Sequence, residues 1–214
     1  MVVLQPDLVR EKYRGFVQRN PEYEKLLVPD NLPFERFKVY ERWKPDSIDV
    51  LFIAESPPWN ESVYFYNEHS LGGLSESIFN HLGIQGESKS RKLQEFKRRN
   101  FFLTDTIKCV FRKDVRSSIP EKLIIFSARE ILQQEIESLN PKTILCLGAT
   151  ALAGLNHIER FSTPLSEIHS VVQACGQSVK AGDVRIIISV FPNDRNRPYH
   201  NKIRSAFAQI GLPH

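Results

Sequence analysis

Cysteine is scarce in this chain. Cys109, Cys146 and Cys175 are the whole complement among 214 residues, and no C-x-x-C or H-x-x-x-H spacing occurs. An odd number of thiols at wide spacing excludes a disulfide framework, and the lack of close Cys or His pairs speaks against a zinc or iron–sulfur site. Reduced, mostly buried thiols are expected, with no metal and no cofactor. Long apolar runs are missing too. No window approaches the roughly 18 consecutive apolar residues of a membrane span, and the start MVVLQPDLVREKYRG lacks the apolar core of a secretory signal. A soluble, cytoplasmic protein without a membrane partner is expected. Neither a G-x-S-x-G elbow nor a G-x-x-x-x-G-K-[ST] loop occurs, so the marks of an α/β-hydrolase and of a P-loop nucleotide site are absent. No repeat, low-complexity tract or domain-separating linker is seen.

What is present can build a core. At 41% hydrophobic and 10% aromatic residues, the chain is expected to form one domain over residues 1–214, with 1–45 a helical segment packed on it. The net charge of +4 and pI of about 9.0 lean towards an anionic partner. The basic residues cluster. KSRKLQEFKRR, Lys89 to Arg99, sets six cations against Glu95, and a second group comprises Arg195, Arg197, His200, Lys202 and Arg204. Such patches either meet phosphates, displacing condensed counterions, or are solvated helix faces.

Strand-like runs alternate with helical patterns. Ile48–Ala54, Phe101–Ile107, Thr143–Leu147 and Val184–Phe191 are short and rich in β-branched or aromatic residues. They lack strict polar alternation, as expected of strands covered on both faces. Ser118-Ile119-Pro120-Glu121 has the spacing of a capping box before Leu123, Ile124, Ile131, Leu132, Ile136 and Leu139, and Asn140-Pro141 ends that helix. Gly72-Gly73 opens another helix, Gly148 leads into Ala149–Leu155, and Pro198 starts a last one. The fold class predicted is α/β, a three-layer α/β/α arrangement around a central, mainly parallel four-stranded sheet.

In such sheets ligands bind beyond the carboxyl ends of the strands. The rule gathers Glu55–Asn60, Thr104–Lys108, Gly148–Thr150 and Phe191–Arg197 into one place. Within them Glu55 stands out, a carboxylate at the mouth of an apolar strand, followed by Ser56-Pro57-Pro58. By itself it is either a catalyst or an exposed or capping residue.

The order AESPP, LGGLSESIFNHLGI, FFLTDTIKC, LNPKTILCLGATAL and VFPNDRN, spread from about Val50 to Ala208, resembles the uracil-DNA glycosylase superfamily. It is most similar to the branch whose first motif reads G-E-x-P-G, without that branch's iron–sulfur cysteines. In the family the first motif positions the water that attacks the sugar. Here Glu55 holds the acidic position, while Ala54 and Pro58 replace both glycines; Pro58 removes an N–H beside the expected base pocket. Thr104-Asp105-Thr106-Ile107-Lys108-Cys109 is similar to a segment T-N-x-x-K-C whose Asn reads the uracil edge. An amide both donates and accepts, whereas the ionised Asp105 only accepts, which suits the amino group of cytosine or adenine better than uracil O4. Where the family carries a His-Pro-Ser type motif, this chain has Phe191-Pro192-Asn193-Asp194-Arg195-Asn196, and Phe191 cannot donate to a departing base.

The resemblance implies N-glycosidic hydrolysis of a deaminated or altered base, as in base-excision DNA repair. Glu55 would stabilise charge on the sugar or orient water, and Asn193 or Arg195 would supply the missing donor. Asp105, Trp59 and Tyr64 would recognise the base, with Phe65 and Tyr66 also available for stacking. Ser56, Lys108, Arg195, Asn196 and Arg197 would hold the nucleic acid, and DNA would lie on the patches Lys89–Arg99 and Arg195–Arg204. Simpler roles stand beside these: Asp105 as a turn cap, Trp59 to Tyr66 as loop packing, and Lys108 paired with Asp114. The Asp105 and Phe191 departures leave a second reading open, a superfamily member that binds nucleic acid or a nucleotide without cleaving it.

Overall fold

Five apolar residues in a row, Val50 to Ala54, cannot alternate between a wet and a dry face, and all five are buried in a strand with neighbours on both sides. The structure is a computed structural model that describes residues 4–69, 73–112 and 118–210, the side chains of Asp194 and Arg195 excepted. The first half contains helix α1 (Pro6–Arg19), strand β1 (Leu27–Val28), short helices α2 (Pro33–Arg36) and α3 (Val39–Arg42), and strand β2 (Val50–Ala54). Helices α4 (Gly73–His81) and α5 (Lys89–Arg98) follow, then strands β3 (Phe101–Asp105) and β4 (Val110–Phe111). Helices α6 (Glu121–Ser127) and α7 (Gln133–Leu139) are joined by a π turn over Ala128–Leu132. The remainder is β5 (Thr143–Leu147), α8 (Ala149–Asn156), α9 (Glu159–Leu165), α10 (Val171–Ala174), β6 (Ser178–Ala181), β7 (Val184–Ser189) and α11 (His200–Ala208).

The central sheet has five strands in the order β3-β2-β5-β7-β6, the first four parallel and β6 antiparallel at one edge. The four parallel strands are those expected, with Thr143–Leu147 reproduced to the residue. The fifth strand was not foreseen. Ser178 and Lys180 are exposed, so its run is too polar to read as covered sheet, and its turn to β7 uses Gly182 at φ 65°. A separate two-stranded ladder pairs Leu27 with Phe111.

Both faces of the sheet are covered. On one face Phe52 packs against Phe96 of α5 at 5.1 Å and Phe207 of α11 at 6.2 Å between ring centres. On the other, Phe102 meets Tyr40 of α3 at 5.5 Å, and Thr104 bonds to Glu135 of α7. Tyr13 and Phe16 of α1 share the same apolar core as the sheet. The three cysteines are buried and free, and burial pushes the Cys109 and Cys146 thiols far up, so they stay protonated. The capping box does not form: Pro120 is itself the N-cap, so Glu121 is the first helical residue rather than the third. Asn140, at φ 44°, ends α7 as expected. The Gly72 of the expected helix start lies outside the described residues. No described helix is long and apolar enough to cross a membrane.

One polar cluster crosses this apolar interior. Lys108, 2% exposed, points inward and pairs with the Glu135 carboxylate, which is 0% exposed. Its ammonium also donates to Thr104 Oγ1 at 2.6 Å and to the Asp105 carbonyl. Glu135 accepts from the Thr104 hydroxyl at 2.8 Å and from the Tyr40 hydroxyl. The Lys108 amide donates to Tyr13 Oη at 2.9 Å; Tyr13 shares a hydrogen bond with Ser127, whose hydroxyl donates to the Thr106 carbonyl. The segment after β3 is thereby tied to α1, α6 and α7.

Removing one member of a buried, hydrogen-bonded ion pair strands the other charge in low dielectric, at a cost of about 3–5 kcal/mol. Glu135→Ala is expected to lose stability of that order in urea unfolding. The double variant Lys108→Met/Glu135→Leu, with no charge left to strand, is expected to recover most of it.

Candidate functional site

The register of the sheet brings two carboxylates together. Ala54 pairs with Asp105 across β2 and β3, so Glu55, the next residue, emerges beside Asp105 at the carboxyl edge. There the chains stay joined past the ladder: Thr106 N donates to the Ala54 carbonyl at 2.9 Å and Ile107 N to the Glu55 carbonyl at 3.0 Å. Glu55 and Asp105 both line a cavity of about 320 Å³, within the range of small-ligand sites.

The Glu55 side chain is held from a third element. Its Oε2 accepts a hydrogen bond of 2.7 Å from Thr150 Oγ1 in the first turn of α8. That helix begins at Gly148, whose φ of 93° suits glycine and whose amide donates to the Ser189 carbonyl at 2.8 Å. A Cβ at Gly148 would meet Phe191 at 3.6 Å, an ordinary contact, so it is the backbone conformation and not lack of space that calls for glycine here. After Glu55, Pro57 is buried and Pro58 half-buried, and the loop closes on Asn60, whose side chain accepts from the Ser62 amide.

The rest of the cavity is aromatic. Tyr64, Phe65, Phe111, Phe191 and Trp59 contribute to its walls. Burial, then the charge of Asp105, hold the Tyr64 phenol well above its usual pKa, so it remains neutral. Trp59 sits at the rim, 54% exposed, with the Arg112 guanidinium 5.1 Å from its ring centre. Among the described residues, Glu55 and Asp105 are the only acidic or basic ones that line the cavity.

Of the sequence-predicted site residues, Glu55, Ser56, Trp59, Tyr64 and Asp105 meet here. Asn193, Asn196 and Arg197 do not. They line a neighbouring groove of about 830 Å³ that shares Phe191, Gly73 and Leu74 with the cavity. The cause is the tight turn after β7: the Phe191 carbonyl accepts from the Asn193 amide at 2.9 Å and from Asn196 Nδ2 at 2.7 Å. This turn gives Phe191 to the cavity and leaves Asn193 exposed in the groove, which corrects the expectation that Asn193 faces Glu55. Lys108 is corrected as well. Its burial against Glu135 keeps it from phosphate, and the alternative partner, Asp114, lies outside the described residues. So does the Arg195 side chain. Tyr66 is no stacking platform, because its hydroxyl is spent on the Leu103 amide and carbonyl inside the core.

The two basic segments part company. In the first, all six cations make contacts within the chain: Lys89 with the Tyr64 carbonyl, Arg91 with Gln94, Lys92 with Glu76, Lys97 with the Arg42 carbonyl, and Arg98 and Arg99 with Glu95. In the second, Arg197, His200 and Arg204 line the groove together with His81 of α4. The His81 ring lies 5.3 Å from that of His200 and stacks on Phe207 at 4.8 Å. Burial first, then the neighbouring His200 and Arg204, push the His81 pKa down.

Thr150 was gathered to the carboxyl edge with Gly148 in the sequence reading but given no role, and two other contributors escaped it. Phe111 and Arg112 come from a two-residue strand that carries no periodic signal. Among the described residues no group of three or more His, Cys, Asp or Glu could hold a metal ion. A family model described as the Uracil DNA glycosylase superfamily matches residues 42–210, well over half of the chain. No curated protein matches it.

Helix α8 carries Thr150 to Glu55 only because it packs closely on the segment after β3. A Cβ at Gly154 would stand 2.7 Å from Thr106 Cγ2, closer than atoms tolerate. Gly154→Ala is expected to cost about 1–3 kcal/mol in chemical denaturation, as overpacking does. Adding Thr106→Ser, which drops that methyl but keeps the hydroxyl, should return most of it.

Proposed function

The chain belongs to the uracil-DNA glycosylase superfamily, and on that premise we propose that it hydrolyses the N-glycosidic bond of an altered base in DNA, as in base-excision repair. The observation that carries the reading is Glu55, fixed by Thr150 at the mouth of a cavity of base-binding size. As the bond to the base breaks, positive charge builds on the sugar. A carboxylate beside it lowers the barrier electrostatically and accepts a proton from the attacking water. The Thr150 hydroxyl keeps the carboxylate in one orientation, so little reorganisation is needed during the reaction.

The base, flipped from the duplex, would enter between the aromatic walls, with Tyr64 beside it, Trp59 and Ser56 at the rim and Asp105 reading its edge. DNA phosphates would follow the adjoining groove past Asn196, Arg197, His200 and Arg204. The segment Lys89–Arg99, with its cations engaged inside the chain, is left out of this track. Phe191 supports a second reading, binding of nucleic acid without cleavage, because it offers no hydrogen bond where the family places a donor.

A panel of duplex and single-stranded oligonucleotides bearing uracil, hypoxanthine, xanthine, mismatched or alkylated bases separates the readings when released free base is measured by chromatography. The glycosylase reading expects release from at least one substrate, lowered on the order of 100-fold or more in Glu55→Gln. Salt-sensitive binding with no release from any substrate would favour the binder, and absence of binding would remove both.

The groove gives a pH dependence of known sign. His81 is held below its ordinary pKa, so near neutral pH it is uncharged, and a phosphate beside it favours the protonated ring. DNA affinity, read by fluorescence anisotropy, should therefore rise as pH falls below about 6.5, the ordinary imidazole value under which His81 is held. His81→Asn should flatten that rise.

A further inference from the structure

We propose that the cavity selects a base carrying a formal positive charge, an N-alkylated purine such as N7-methylguanine or N3-methyladenine in DNA; this rests on the glycosylase reading above and narrows its substrate. Three features of the cavity converge on a cation. Among the described residues, its only acidic or basic lining residues are the carboxylates Glu55 and Asp105. Its lining includes the aromatic residues Tyr64, Phe65, Phe111 and Phe191, and aromatic rings attract positive charge through their faces. Where a donor would meet negative charge on a departing base, the wall is the hydrocarbon ring of Phe191.

The third feature decides between neutral and cationic bases. A neutral base such as uracil leaves as an anion, and donors aimed at such developing charge are worth about 10²–10³-fold in rate. A charged alkylpurine needs none. When its C1′–N9 bond breaks, the electron pair stays on N9 and cancels the positive charge of the ring, so the base leaves neutral. The sugar becomes the cation; water adds its oxygen to C1′, and the proton passes to the Glu55 carboxylate and then to solvent. Nucleotide cation and water thus give a neutral base, an abasic sugar and one proton, without any other reactant.

The two carboxylates divide the work. Positive charge begins on the base, beside Asp105, and moves to the sugar, beside Glu55. Asp105 accepts from the exocyclic amino group of the purine and favours the charged substrate as it binds, while Glu55 gains interaction as the bond breaks. Asp105 therefore belongs to KM and Glu55 to kcat.

The test uses duplex DNA methylated with dimethyl sulfate beside duplexes containing uracil or hypoxanthine, each scored for free base above spontaneous release. Expected is release of methylated purine in preference to uracil, with Asp105→Asn raising KM about tenfold or more while changing kcat less. Glu55→Gln should lower kcat instead, and Asp105→Asn/Phe191→His should gain release of uracil. Release of uracil or hypoxanthine without methylated purine overturns the inference and leaves the glycosylase reading standing. An Asp105→Asn enzyme that keeps its KM for methylated purine overturns the role given to Asp105. No release from any duplex overturns the glycosylase reading together with the inference.

Discussion

The buried pair of Lys108 and Glu135 is the constraint on which the site depends. Two opposite charges out of water persist only if every remaining hydrogen-bonding position is filled, and here that demand recruits the Thr104 and Tyr40 hydroxyls and the Asp105 carbonyl. These contacts hold residues 104–108 to their observed backbone course. That course delivers the Asp105 side chain to the cavity while its carbonyl faces the core. The carboxylate that lines the cavity and the ammonium that stays dry are two consequences of one arrangement.

Around that fixed segment, parallel strands supply position and helices supply polar contacts. The pairing of Ala54 with Asp105 sets where the two carboxylates emerge, and Thr150 sets how one of them points. The Phe191 turn decides what faces them. Because its carbonyl takes both the Asn193 amide and the Asn196 side chain, the loop folds back on itself and separates an aromatic, acidic cavity from a basic groove. Two environments of opposite charge stand side by side with one ring between them.

Much of this was legible in the sequence, and the failures have physical causes. The parallel strands showed because strands covered on both faces must be apolar throughout, and the carboxyl-edge rule then put Glu55 and Asp105 together without any contact being known. Strand β6 stayed hidden because half its residues face solvent. Lys108 was misjudged since a lysine near a strand end is ordinarily wet; its burial depends on Glu135, which lies far along the chain and reads as a polar position on a helix surface. Asn193 was misjudged because spacing along a loop does not say which side a turn will present. Lys89, Lys92 and Lys97 looked available because their partners, the Tyr64 carbonyl, Glu76 and the Arg42 carbonyl, come from other parts of the chain.

The π turn between α6 and α7 sets an angular phase. Ser127 and Glu135 both reach the segment after β3, although they are eight positions apart, a step that in a regular α-helix leaves two side chains about 80° out of alignment. The wider winding over Ala128–Leu132 absorbs that offset. A one-residue deletion there would restore the ordinary pitch and, at seven positions, leave Glu135 only about 20° from Ser127 and still turned towards Lys108, so the wide turn takes up one extra residue without changing which face of α7 serves the site.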